Sequence, residues 1–294
     1  MSNKLYDENS VQDIADAIRS KNGLSSATYK ISEMAQAVLD LPAGNTKLGL
    51  VTKEQRDLSV ARGSYTTIGN WAFYNCSLLT EANFPECTSI GDNAFYSCVS
   101  LSSISFPKCT SIGNYAFLWC LLNSANFPRC TTIGSHAFNA CYSLTEANFP
   151  ECTTIGNTAF DNCSNLTTIN FPLCEIIQYA AFDKCSSLAE ANFPECITVS
   201  SGAFQSCSSL TEANFPKCIS LTGSSIFRSC RSLSKLTLGT SNCVLSNVNT
   251  FFTTPMSLST YLGYFGSIYV PSEYLSYYIS ATNWSRYSSR IVGY

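Results

Sequence analysis

The sequence predicts a repeat solenoid, rich in β structure, with a small helical segment before it and a capped carboxy-terminal end. Three observations predict it. Phe-Pro recurs at Phe84, Phe106, Phe127, Phe149, Phe171, Phe193 and Phe215, in steps of 22, 21, 22, 22, 22 and 22 residues; a fixed period of this length is the signature of stacked supersecondary units. Cysteines from Cys76 to Cys218 fall every 11 residues, with one step of 10 between Cys120 and Cys130. Each unit also reads Leu-x-x-Ile-x-Phe, with Ala in place of Ile in most units, a short alternating run that places one face inward. Such a unit leaves an apolar edge that only the next unit can cover, so stacking supplies the stability.

Residues 1–41 read as helical. Ser10 is placed to cap a helix carrying Val11, Ile14, Ala15 and Ile18, with Asp13 near the capping-box position and Asn22-Gly23 as the stop. A second stripe, Ile31, Met34, Ala35, Val38 and Leu41, ends at Pro42. Two helices this short need something to pack on, whether each other, the first coil or another subunit. Residues 42–65 read as a linker and a degenerate first coil.

The repeats span 66–242, about eight coils. One unit runs Leu101-x-x-Ile104-x-Phe106-Pro107-x-Cys109-Thr110-x-Ile112-Gly113-x-x-Ala116-Phe117-x-x-Cys120. Proline directly after the strand stops further pairing. The glycine suits a turn that needs positive φ, although Gln178, Ser200 and Thr222 replace it later. The cysteines form two stacked ladders whose side chains point the same way, poor geometry for a disulfide torsion. They read as reduced, buried, small apolar residues. No C-x-x-C pair is present, so a metal role is not expected.

Residues 243–294 turn tyrosine-rich, with Tyr261, Tyr264, Tyr269, Tyr274, Tyr277, Tyr278, Tyr287 and Tyr294. A helix can start at Pro271-Ser272 and run through Tyr274, Leu275 and Tyr278. Tyrosine, apolar on its body and wet at its hydroxyl, suits the cap that an open solenoid end requires; carbohydrate binding by the same cluster is the alternative.

The pattern Leu-x-x-Ile-x-Phe-Pro-x-Cys-Thr-x-Ile-Gly-x-x-Ala-Phe-x-x-Cys resembles the BspA-type (Treponema-type) leucine-rich repeat over residues 66–242. The resemblance implies a right-handed superhelix with its parallel sheet on the concave side, and surface adhesion or ligand binding without catalysis. The head, Asp13-Ile14-Ala15-Asp16-Ala17-Ile18-Arg19-x-Lys21-x-Gly23, is similar to a segment that opens many phage and prophage tail-associated proteins. Ile268-Tyr269-Val270-Pro271 through Ala281-Thr282-Asn283-Trp284 is similar to the closing segment of BspA-type arrays.

Composition narrows the function. Net charge is −3, only 13% of residues are charged, and lysines and arginines are scattered; a phosphate backbone has nothing to hold it, which argues against nucleic acid. No apolar run reaches the length of a membrane span. Met1-Ser2-Asn3-Lys4-Leu5-Tyr6-Asp7 shows no signal-peptide core. Location is expected in a virion tail, or at the bacterial cell surface or outside the cell.

His136, the one histidine, lies five residues from Cys141. A nucleophilic pair needs an exposed sulfur and an orienting group; Cys141 holds a ladder position, so a turn histidine is the expected reading. Carboxylates are sparse, and glycine-rich phosphate loops are absent. No enzyme activity and no cofactor are expected.

Binding residues are sought among the letters that vary. Outward strand columns are polar: Asn83, Ser105, Asn126, Asn148, Asn170, Asn192 and Asn214, beside Glu81, Ser103, Ser124, Glu146, Thr168, Glu190 and Glu212. Stacked asparagines can exchange amide hydrogen bonds; an acidic-amide face for contact is the second reading. The turns of the early units instead carry Trp71, Tyr74, Tyr96, Tyr115, Leu118, Trp119, His136 and Tyr142 in non-core slots. An aromatic patch confined to one half of an array suggests a contact, with the amino-terminal helices as the competing occupant.

The leading expectation is a non-enzymatic recognition or adhesion module, tail-associated in a phage or prophage, meeting a surface glycan or protein. Residues 1–41 would join it to other tail or particle subunits. A bacterial surface or secreted adhesin outside any virion is the alternative, and a structural spacer or assembly protein without ligand is the third.

Overall fold

The computed structural model describes residues 47–48, 59–247, 250 and 266–294. The predicted helices of residues 1–41, with Tyr261 and Tyr264, lie outside them. The chain is a parallel-sheet solenoid, and each coil has three sides.

Three-residue strands such as Glu81–Asn83, Ser103–Ser105 and Glu146–Asn148 form the first side. Two-residue strands such as Ser89–Ile90, Ser111–Ile112 and Thr154–Ile155 form the second. The second side is one continuous parallel sheet of ten strands, from Lys47–Leu48 to Val244–Leu245. The stack is thus ten turns rather than about eight, because the sheet reaches past the clear repeats at both ends. The first side is divided into three sheets. One division falls between Ser103–Ser105 and Ser124–Asn126, where the sequence takes its single 21-residue step.

The third side is a turn segment held by backbone hydrogen bonds both within the coil and to the next one. Alternate amides reach forward to the next coil: Trp71 N–H to Asp92 O (2.9 Å), Phe73 to Ala94 O (2.7 Å) and Asn75 to Tyr96 O (2.9 Å). The residues between them close local turns, as Tyr74 N–H does on Trp71 O (3.2 Å). Buried backbone polar groups must be paired, and here the neighbouring coil supplies half of the partners.

The core is two interleaved phenylalanine columns. Phe95 stacks on Phe73 and Phe117 at 4.9 and 5.1 Å, and Phe149 on Phe127 and Phe171 at 5.3 Å each. Across the columns the rings meet edge to face, as Phe149 and Phe160 do at 6.0 Å. Both are favoured aromatic geometries. Phe149 is fully buried, so Phe149→Ala should cost about 3–5 kcal/mol in chemical denaturation.

Polar ladders run between the coils. Thiols of one cysteine column donate to the Phe carbonyl of the preceding coil: Cys98 to Phe73 O (3.0 Å), Cys120 to Phe95 O (3.1 Å) and Cys141 to Phe117 O (3.1 Å). In the other column Cys87 and Cys109 donate to the carbonyls of Ser89 and Ser111, both at 3.2 Å. All sixteen cysteines are buried, and none forms a disulfide. Cysteine is therefore more than a small apolar filler, since its weak S–H donor serves a carbonyl that water cannot reach. At the coil's exposed corner threonine hydroxyls add a second bond to a carbonyl that already accepts the same residue's N–H, as in Thr88 to Thr66 O and Thr110 to Thr88 O, both 3.0 Å. The asparagine column exchanges amides between Asn126 and Asn148 (2.8 Å), Asn148 and Asn170 (2.7 Å), and Asn192 and Asn214 (2.9 Å).

The positive-φ reading of the repeat glycine is corrected. Gly91, Gly113, Gly134 and Gly156 do not have positive φ. Their constraint is contact with the coil beneath: a Cβ on Gly113 would stand 2.6 Å from Asp92 N and 2.6 Å from Gly91 C. Positive φ falls instead on two later turn positions, occupied by Trp71 and Asn75, Tyr115 and Trp119, His136 and Ala140, Thr158 and Asn162, and Ala180 and Lys184. The pair of variants Gly134→Ala and Ala180→Gly separates the two constraints. The first should lose about 1–3 kcal/mol by overpacking. The second should be neutral or gain up to about 1 kcal/mol as left-handed strain is relieved. Thermal or denaturant unfolding reads both.

The carboxy-terminal end closes as expected. Strands Ser267–Val270 and Ile291–Gly293 extend the first side beyond Lys235–Leu238. A one-turn 3-10 helix, Ser272–Tyr274, leads into α1 (Leu275–Ser280), and the 3-10 segment Trp284–Arg290 follows. Side chains from this segment satisfy the last carbonyls of the stack: Tyr278 Oη donates to Thr240 O (2.8 Å), Trp284 Nε1 to Cys243 O (2.7 Å) and Asn283 Nδ2 to Leu245 O (2.7 Å).

Burial pushes the thiols up, to about 11 at Cys87 and about 12 at Cys109 and Cys152. In the unfolded chain a thiol ionises near ~8.5. Folded values above unfolded ones give stability that is complete below the unfolded value and lost as pH rises toward the folded one. Each such thiol should subtract about 1.4 kcal/mol per pH unit across that window. The unfolding midpoint should hold to about pH 8 and fall steeply from about pH 9. Iodoacetamide should label the cysteines only after unfolding.

Candidate functional site

The turn segment positions the residues that vary most. Left-handed φ values at Trp71 (62°), Tyr115 (57°), Trp119 (62°) and His136 (58°) put bulky side chains where they are rarely tolerated. Ala180, Lys184 and Ser206 take the same conformation, so the strain belongs to the repeat and does not mark function. What distinguishes the early coils is the chemistry displayed there.

The structure joins four of the eight candidates into one strip. Trp71 meets Tyr74 edge-on at 5.0 Å, Tyr74 stacks on Tyr96 at 5.1 Å, and Tyr96 meets Trp119 edge-on at 5.4 Å. Tyr115 stacks on His136 at 4.6 Å with the planes 6° apart. Trp71 and Trp119 remain 46% and 47% exposed, a large area for tryptophans that already contact another ring.

Leu118 departs from its expected non-core slot, because it is buried. Tyr142 is exposed one residue past Cys141, where Val99 and Leu121 are exposed past Cys98 and Cys120. Later coils put Ser164, Ser186 and Ser208 at that place. Sequence reasoning missed Val99 and Leu121. Aligning the residue after each cysteine would have found them.

Beyond the rings, the column of Tyr74, Tyr96 and Leu118 continues as Asn139, Asp161, Asp183 and Gln205. Asn139 Nδ2 donates to Asp161 Oδ2 (3.3 Å), Asn162 Nδ2 to Asp161 Oδ1 (3.0 Å), and Gln205 Nε2 reaches both Asp183 oxygens (3.4 and 3.3 Å). Lys184 Nζ bridges Asp161 and Asp183, 3.5 Å from each. Burial raises the Asp183 carboxyl above the usual range, against the lowering effect of Lys184.

His136 joins the two halves. The Asn139 amide donates to Nδ1 (3.2 Å), and Thr158 Oγ1 lies 2.8 Å from the same atom. Burial lowers its pKa, partly offset by Asp161. Its hydrogen bonds go to these residues, while the Cys141 thiol is spent on Phe117 O, with burial holding its pKa well above the usual thiol value. The two are not a nucleophile and its base. Among the described residues no cluster of His, Cys, Asp and Glu could hold a metal ion, and no helix is long and apolar enough to cross a membrane.

The repeat matches the model of the BspA type leucine rich repeat region in six copies, over residues 66–186 and 153–262. The chain belongs to this family. Among solved structures, this BspA-type chain is similar to a leucine-rich repeat protein from Bacteroides ovatus, at 19% identity and TM-score 0.46 over 62% of this chain and 61% of that one. It therefore spans less than two thirds of that protein's length. It is also similar to the T. pallidum leucine-rich repeat protein, at 23% identity and TM-score 0.44 over 66% and 90% of the two chains. A leucine rich cell surface protein from Faecalibacterium prausnitzii shares 18% identity, with TM-score 0.34 over 62% and 79%. A search of curated proteins finds no match.

Proposed function

We propose that this chain is a non-enzymatic recognition module that meets a bacterial surface glycan or protein through the aromatic turn edge of its first coils. The observation that carries the reading is the strip of Trp71, Tyr74, Tyr96 and Trp119, with both tryptophans exposed and both tyrosines half-buried, on a scaffold whose fixed residues are otherwise consumed by stacking. Large, rigid aromatics of this kind dominate contact energetics, and the outward Asn and Glu columns of the strands carry none. Non-catalytic binding is the usual use of a leucine-rich-repeat solenoid.

The tail-associated role in a phage or prophage rests on the resemblance of Asp13 through Gly23 to tail-protein openings. In this reading residues 1–41 attach the module to tail or particle subunits and the solenoid projects from them. Tail and baseplate genes beside this one are the expected neighbourhood. A sortase and a wall-anchor gene in their place would overturn the tail role and favour a surface adhesin.

The contact itself is tested by replacing Trp119 and Tyr115 with serine. Both lie outside the core, so the melting temperature should fall only slightly, by the loss of the Tyr115–His136 and Tyr96–Trp119 ring contacts, while binding to target cells falls by about tenfold or more. Unchanged cell binding would remove the aromatic edge from the function.

A further inference from the structure

We propose that residues 31–41 of this same chain dock, in the free protein, across the turn side of the first four coils, covering the contact surface until another subunit takes them up. The proposal rests on the recognition reading above and supplies the regulation of that same surface.

The first argument is the extent of the apolar area. The turn side of the early coils exposes more than its rings. Leu78 (54%), Val99 (49%), Leu121 (46%) and Tyr142 (55%) stand exposed within two residues of the turn cysteines, at the corner beyond Trp71 and Trp119. Past the cysteines of later coils stand Ser164, Ser186 and Ser208. The apolar plate thus covers four coils and stops. Three steps of about 4.8 Å make it about 14 Å long. A contiguous plate of this kind marks a surface that something covers.

The second argument is a stripe of matching size. Ile31, Met34, Ala35, Val38 and Leu41 recur at helical spacing. Eleven residues of helix span about 16 Å. A helix this short is marginal in water and gains its stability by laying an apolar face on something.

The third argument is where the chain enters the stack. Lys47 pairs with Thr67 in the ten-strand sheet, and Trp71 follows four residues later. One strand spacing and those four residues hold Lys47 within about 19 Å of Trp71. The linker from Pro42 to Thr46 lets Leu41 stand up to about 20 Å from Lys47. The plate lies on the coils that this linker reaches, and a segment held so close occupies it at high effective concentration.

The intact chain carries the test. All sixteen native cysteines are buried, so introduced surface thiols react alone. The Val38→Cys, Leu121→Cys double variant is treated with a short bismaleimide and mapped by peptide mass. A Val38→Cys, Ile219→Cys variant, on an exposed residue of a far coil, is the control. The first should cross-link within one chain, about tenfold more than the control and independently of protein concentration.

A Met34→Asp, Val38→Asp variant breaks the stripe and leaves the solenoid untouched. Iodide quenching of tryptophan fluorescence should rise, because Trp71 and Trp119 lie on the plate while Trp284 is buried in the cap. Binding to target cells should rise by about tenfold as the competent fraction grows. Absent cross-linking at Leu121→Cys, or unchanged quenching, overturns the docking. Cross-links only between chains also overturn it and assign the plate to a second copy. Cell binding that does not rise overturns the regulation. The two readings fail separately: a cross-link within one chain beside full cell binding by Trp119→Ser keeps the docking and removes the recognition reading. No cross-link beside lost cell binding by Trp119→Ser does the reverse.

Discussion

The closeness with which one coil lies on the next governs everything else in this molecule. Parallel strands set that distance at about 4.8 Å, and each side of the coil has adapted to it. Phenylalanines stack flat in two columns, offset so that each ring also meets the other column edge-on. Glycine appears at Gly113 and Gly134 because backbone lies where a Cβ would go. The repeat is thus a set of residues each chosen for what the same residue one coil away permits.

The same closeness explains a composition that otherwise looks odd. A carbonyl can accept two hydrogen bonds, and in the turns a backbone N–H takes only one of them. Cysteine supplies a second donor small enough for the core, and threonine supplies one at the exposed corner. At the far end the stack runs out of coils, so Tyr278, Asn283 and Trp284 reach back over 38 to 41 residues to take the final carbonyls. Thiol, hydroxyl, phenol, carboxamide and indole all donate to backbone carbonyls.

The turn side is where the repeat tolerates variety. Its backbone is held by bonds to the next coil whatever the side chain, as the shared left-handed conformation of Trp71, Thr158, Ala180 and Gly202 shows. That leaves the side chains open to other demands. In the early coils many of them are rings, and one column passes from Tyr74 and Tyr96 through Leu118 to the amides and carboxylates of Asn139, Asp161, Asp183 and Gln205. A scaffold indifferent to what it displays is a good platform for recognition.

The sequence by itself determined the coil: its period, its inward residues, its two cysteine ladders and its capped end all follow from residues that repeat, because a translationally stacked core imposes the same environment at each step. The aromatic candidates were legible as columns for the same reason. Only the tertiary structure decided which candidates touch. It buried Leu118, linked Trp71 to Trp119 through two tyrosines, exposed Val99 and Leu121, and moved the glycine's constraint from φ to contact. Those outcomes depend on turn conformation and on neighbours 21 to 25 residues away, and neither is written in the local pattern of a single repeat.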